Sequence, residues 1–157
     1  MTTATATAAA AESDFELVME RVFDASLDRV WAAWTNADAL VQWFFPHDCQ
    51  LGESVFDIVE GGAYRCTLMG CTSGKHFTMR GTYEEIKPQY RLVFTHGWVG
   101  EGDLVERMTR IVVTFVEEEQ GRTRLNFCQS GLGSEEARNS HADGWGGVLD
   151  HLGDHVA

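Results

Sequence analysis

The stretch Ser134-Glu-Glu-Ala-Arg-Asn-Ser-His-Ala-Asp-Gly-Trp-Gly-Gly-Val-Leu-Asp-His-Leu-Gly-Asp-His-Val156 breaks the two-residue rhythm that most of the preceding chain keeps. Ala137, His141, Trp145, Val148, Leu149, Leu152 and Val156 fall on one stripe at helical spacing, the pattern of a helix with one buried face. Ser134 is a good N-cap, and Glu135 and Glu136 suit the positive end of the helix dipole. Gly144, Gly146 and Gly147 interrupt the stripe. Each costs about 1 kcal/mol of helix propensity relative to Ala. The expected return is a close approach of the helix to a sheet, or a bend around Trp145.

Upstream, the alternation is that of strands, whose successive side chains point to opposite faces. Phe15–Phe23 reads as the first strand, with Phe15, Leu17, Met19 and Phe23 on one face. Arg21 shares that face, so it must snorkel or find a carboxylate. Ser26 caps a short helix carrying Leu27, Val30, Trp31 and Trp34. Asn36 caps a second one that turns Leu40, Trp43 and Phe44 inward, and Pro46 stops it by Phe45. Strand-like runs follow at Glu53–Ile58, Ala63–Met69, Phe77–Ile86, Tyr90–Trp98, Arg107–Val116 and Thr123–Gln129. Glu60-Gly61-Gly62, Pro88-Gln89 and Gln120-Gly121-Arg122 punctuate them as turns. One face of these runs is apolar and the other mixed, as in an antiparallel sheet covered on one side. The order of strand, two short helices, several strands and one long helix is an α+β pattern with a single sheet.

The 157 residues suit one domain, large enough to bury about 70% of the unfolded-chain surface. Twenty-four acidic residues against 12 basic ones give a formal charge of −12. That field repels nucleic acid and anionic membranes, and no run reaches the roughly 18 apolar residues of a membrane span. The Thr/Ala-rich residues 1–13 read as a disordered tail ahead of a domain over 14–157. Cys49, Cys66, Cys71 and Cys128 form no Cys-x-x-Cys pair, and no signal peptide is visible. The expectation is four free thiols in a cytoplasmic protein.

Four blocks carry a family resemblance. They are Arg21-Val-Phe-Asp-Ala-Ser-Leu-Asp-Arg-Val-Trp-Ala-Ala-Trp-Thr35 with Leu40-Val-Gln-Trp43 and Pro46; Phe56-Asp-Ile-Val-Glu-Gly-Gly-Ala-Tyr-Arg65; Gly81-Thr-Tyr-Glu-Glu-Ile-Lys-Pro88 with Arg91-Leu-Val-Phe-Thr95; and Val113-Thr-Phe115, Thr123-Arg-Leu125 and Gly144-Trp-Gly-Gly-Val-Leu149. In order and spacing the chain resembles the START-like, helix-grip superfamily. Within it, the chain is similar to bacterial homologues of the activator of the heat shock protein 90 ATPase. The resemblance implies a helix-grip fold, in which a curved antiparallel sheet of about six to seven strands wraps the long C-terminal helix. It also implies a pocket between them for a hydrophobic small molecule. The chaperone-activating, stress-response role belongs to two-domain eukaryotic relatives and is the alternative it carries.

The expected pocket wall combines Phe77, Met79, Phe94, His96, Trp98, Trp145 and Leu149, with Trp43, Phe44 and Phe45 near its mouth. Gln129 and His141 add polar groups to the inward face. Apolar burial at about 25 cal/mol per Å² is what such a wall offers a ligand. His96 and His141 are the candidates for acid–base chemistry of a cyclase, dehydratase or hydrolase type, and ordinary structural histidines are the competing reading. No nucleophile elbow or phosphate loop is present. His151 and His155 share a helix face without further ligands, so neither a metal nor a cofactor is expected. Val93, Val112 and Val116 on the mixed face are a candidate dimer surface.

Overall fold

A computed structural model describes residues 15–157; the expected tail over 1–13 lies outside them. Seven strands form one antiparallel sheet: β1 (Leu17–Phe23), β2 (Gln50–Phe56), β3 (Ala63–Met69), β4 (Phe77–Lys87), β5 (Arg91–Trp98), β6 (Thr109–Glu117) and β7 (Thr123–Ser130). Their order is β1-β7-β6-β5-β4-β3-β2. Strands β2 to β7 are therefore a meander, and β1 closes against β7 with Leu17 opposite Gln129 and Phe23 opposite Thr123. Helices α1 (Leu27–Thr35) and α2 (Ala37–Trp43) carry the chain from one sheet edge to the other, and α3 (Glu135–Val156) lies across the sheet. This is the α+β helix-grip arrangement anticipated above.

The helix ends follow from local chemistry. The Ser26, Asn36 and Ser134 side chains accept from Arg29 N, Ala39 N and Ala137 N, each satisfying an otherwise unpaired first-turn donor. Helix α2 stops at Trp43, ahead of Pro46. Inside, Trp34 is the hub, with its ring centroid 4.8 Å from Trp43, 6.2 Å from Phe44 and 6.3 Å from Phe94. Trp43 Nε1 donates to the Ala33 carbonyl at 3.0 Å, which locks α2 against α1. From α3 come Trp145, Val148, Leu149, Leu152 and Val156, all buried. Each such side chain stabilises by about 1.5–3 kcal/mol through apolar burial.

Three expectations change. Cys49 and Cys71 form a disulfide, while Cys66 and Cys128 are free. The cause is strand register: Gln50 pairs with Met69, so the residues just outside that hairpin end meet, with Cα atoms 4.1 Å apart. Sequence spacing carries no trace of this. Of the candidate dimer valines, Val93 is fully buried, Val112 is half-buried and only Val116 is exposed. Val93 stands opposite Val112 and Glu85, and Glu85 is ion-paired to Arg91 at 2.7 Å. Finally, the close approach expected of the α3 glycines holds at one position. A Cβ on Gly147 would sit 2.8 Å from the His47 amide nitrogen, whereas one on Gly144 would meet nothing within 4 Å and one on Gly146 only Met19, at 3.9 Å. The partner at Gly147 is the loop after α2, not the sheet.

Opposite outcomes follow at two glycines of one helix. Gly144→Ala should raise unfolding stability by up to about 1 kcal/mol, and Gly147→Ala should lower it by about 1–3 kcal/mol through overpacking; urea denaturation reads both. Cys71→Ser should cost about 3 kcal/mol by releasing the loop closed by the disulfide, and wild type unfolded in a thiol reductant should match it.

Candidate functional site

Between the first half of α3, the outer ends of β3, β4 and β5, and the loop after α2 lies a cleft of about 760 Å³. Its sheet side carries Leu68, Phe77, Met79, His96 and Trp98. From α3 come Ser140, His141, Asp143, Gly144, Trp145 and Val148. Phe44, Pro46, His47, Asp48 and Cys49 complete it from the loop. The strand alternation read from sequence explains the sheet side, because Met79, His96 and Trp98 lie on the face that α3 covers. Phe77 and Trp98 are 40% and 39% exposed and meet edge-to-face with centroids 6.1 Å apart, forming the outer wall.

Four of the anticipated wall residues lie elsewhere. Trp43 and Leu149 are buried in the core. Phe94 lines a separate internal void of about 10 Å³ beside Trp34 and Tyr64. Gln129 is fully buried behind the wall. Phe45 is also turned away, with its ring 4.6 Å from that of His151, whose Nδ1 lies 2.6 Å from the Phe45 carbonyl. The physical reason is common: alternation places a side chain on the inner face but does not say how far along the strand α3 still covers it. Pro46, His47, Asp48 and Cys49 were missed because a loop carries no periodicity.

Gln129 has a different task. Trp145 Nε1 donates to Gln129 Oε1 at 2.9 Å, and Gln129 Nε2 donates to Thr109 Oγ1 at 2.9 Å. The Thr109 hydroxyl donates in turn to the His96 carbonyl at 2.7 Å. This buried relay ties the cleft floor on α3 to β7, β6 and β5. With every member paired, it rigidifies rather than destabilises. Around the rim, Arg21 Nη1 meets Asp150 Oδ1 at 2.7 Å and His47 Nε2 meets Asp150 Oδ2 at 2.8 Å. Arg21 thus finds the carboxylate its inward position demanded. The His47 and Arg21 hydrogen bonds hold the Asp150 carboxyl below its ordinary pKa.

The two pocket histidines face each other with ring centroids 6.0 Å apart, but they differ in kind. His141 Nε2 accepts from Trp98 Nε1 at 3.1 Å, and its Nδ1 lies 2.7 Å from the Ala137 carbonyl. That pairing places the proton on Nδ1 and occupies both nitrogens. His96 is 1% exposed, and neither of its ring nitrogens has a hydrogen-bond partner among the described residues. Aromatic rings surround it: Trp98 at 5.2 Å and Trp145 at 5.4 Å. Burial, followed by the neighbouring His141, pushes its pKa from 6.5 down to about 3. At neutral pH His96 is an uncharged imidazole with one free donor and one free acceptor. Such a weak base is poorly matched to proton abstraction near pH 7. Among the described residues no group of three or more His, Cys, Asp or Glu side chains is arranged to hold a metal ion.

A pH signature follows. Native His96 stays neutral down to about pH 3, whereas the unfolded imidazole takes up a proton below 6.5. Its contribution is therefore complete above pH 6.5 and is lost as pH falls toward 3, by up to about 1.4 kcal/mol per pH unit. Urea denaturation between pH 6.5 and 5 should show this slope and His96→Phe should remove it. The wild-type His96 imidazole should show no NMR titration over the same range.

No curated protein matches the chain in sequence. Solved structures do match in fold. A protein of Chromobacterium violaceum is 24% identical with a TM-score of 0.79, over 90% of this chain and 96% of that one. A Silicibacter pomeroyi protein is 22% identical with a TM-score of 0.78, over 89% and 96%. One from Rhizobium leguminosarum is 26% identical with a TM-score of 0.77, over 91% and 94%. The sequence profile of the family described as Activator of Hsp90 ATPase homolog 1-like protein matches residues 24–157. With most of its length matched, the chain belongs to that family.

Proposed function

We propose that this protein is a binding domain for an apolar or aromatic small molecule, seated between the sheet and α3. The observation that carries the reading is the cleft itself. Its volume of about 760 Å³ lies within the roughly 300–1,000 Å³ of small-molecule sites. Its walls are built largely by Phe44, Leu68, Phe77, Met79, Trp98, Trp145 and Val148, with His47, Asp48, His96, Ser140, His141 and Asp143 as the polar groups. Removing a ligand's apolar surface from water at about 25 cal/mol per Å² supplies the affinity. The floor is held by the Trp145–Gln129–Thr109 relay, so little ordering cost falls on binding.

Tryptophan emission tests this directly, because Trp98 and Trp145 line the cleft while Trp34 and Trp43 lie in the core. Titration with uncharged two- and three-ring aromatics should shift or quench emission saturably, and Trp98→Phe should remove much of the change. At 100 times Kd the ligand should stabilise the fold by about 2.7 kcal/mol, read as a higher melting temperature. Unchanged emission and melting temperature across the whole series would overturn the reading. It would then give way to a protein-partner role of the kind the family's description names.

A further inference from the structure

The cleft holds one polar side chain that is both buried and unsatisfied. His96 presents an imidazole whose nitrogens have no partner among the described residues, at 1% exposure, among the cleft-lining residues and with the Trp145 ring 5.4 Å away. A buried donor or acceptor left unpaired costs about 1–3 kcal/mol, so a ligand atom that reaches the ring as the side chains covering it shift is rewarded for completing it. The second observation is charge. No lysine or arginine is among the cleft-lining residues, whereas Asp48 and Asp143 are. His47 is already engaged with Asp150, and the chain as a whole carries a formal charge of −12.

We propose that the cleft selects uncharged aromatic molecules bearing a hydroxyl group, which His96 meets by hydrogen bond, and that it rejects carboxylates and phosphates of the same shape. This rests on the binding reading above and narrows it to a ligand class. A hydroxyl suits either nitrogen of a neutral imidazole, since it can donate to the bare nitrogen or accept from the N–H. A buried anion would need a counter-charge. In the empty cleft His96 offers no standing positive charge near neutral pH, because burial and His141 hold its pKa at about 3. His141 cannot turn to help without breaking its bonds to Trp98 Nε1 and the Ala137 carbonyl.

The test is a matched series on the intact protein by titration calorimetry at pH 7: naphthalene, 2-naphthol and 2-naphthoate. The expected result is 2-naphthol binding about tenfold tighter than naphthalene, as one hydrogen bond to a buried group warrants, with 2-naphthoate weaker than both. His96→Phe should bring 2-naphthol and naphthalene to the same affinity. Equal affinities for these two on the wild-type protein would overturn the role of His96 and leave the binding reading intact, and that comparison needs no variant. Tightest binding by 2-naphthoate would overturn the charge selection, again leaving the binding reading intact. Binding by none of the three would overturn both.

Discussion

The hydrogen bond from Trp145 Nε1 to Gln129 Oε1 sets the depth at which the long helix lies on the sheet. An indole N–H buried without a partner is costly, so the bond to Gln129 favours this depth for α3. That requirement fixes Trp145 against Phe127 at 4.9 Å and against His96 at 5.4 Å. Gln129 is oriented to answer because Thr109 Oγ1 accepts from its amide and donates in turn to the His96 carbonyl. One chain of bonds therefore aligns three strands and a helix. The cleft opens where α3 extends beyond the well-packed core, on the side of Phe77 and Trp98.

The rim is held by different means. Arg21 on β1, Asp150 on α3 and His47 in the loop after α2 are joined through the Asp150 carboxylate, which pairs with Arg21 and hydrogen-bonds His47. As a half-exposed set it contributes modestly to stability, but it joins three separate elements at the cleft edge. Gly147 lets the His47 backbone approach the helix, and the Cys49–Cys71 disulfide ties the same loop to the end of the β3–β4 hairpin. The loop that supplies Pro46, His47, Asp48 and Cys49 is thus anchored at both its helix side and its sheet side.

Much of the architecture was legible from local pattern. Strand alternation, helical spacing in residues 137–156 and the three capping residues are statements about neighbours in the chain, and short-range sterics and hydrogen bonding enforce them. The inward face of β5, with Leu92, Phe94 and His96, follows from period two alone. The cleft was legible only in part. Phe77, Met79, His96, Trp98, His141 and Trp145 do line one space. Trp43, Phe94, Gln129 and Leu149 share the inward direction but meet core neighbours instead, because the position of α3 along the strands depends on packing across the whole sheet.

By itself, the sequence determined the order of strands and helices, the apolar stripe of the last helix, and that one helix must cover one sheet. The tertiary structure alone decided three things. It paired Cys49 with Cys71 through a hairpin register, turned Gln129 from a pocket group into the support of Trp145, and left the His96 ring without a partner among the described residues while His141 was satisfied. Each is a matter of distance between segments far apart in the chain. Periodicity gives a side chain its direction but not its partner, and the chemistry of this cleft is a matter of partners.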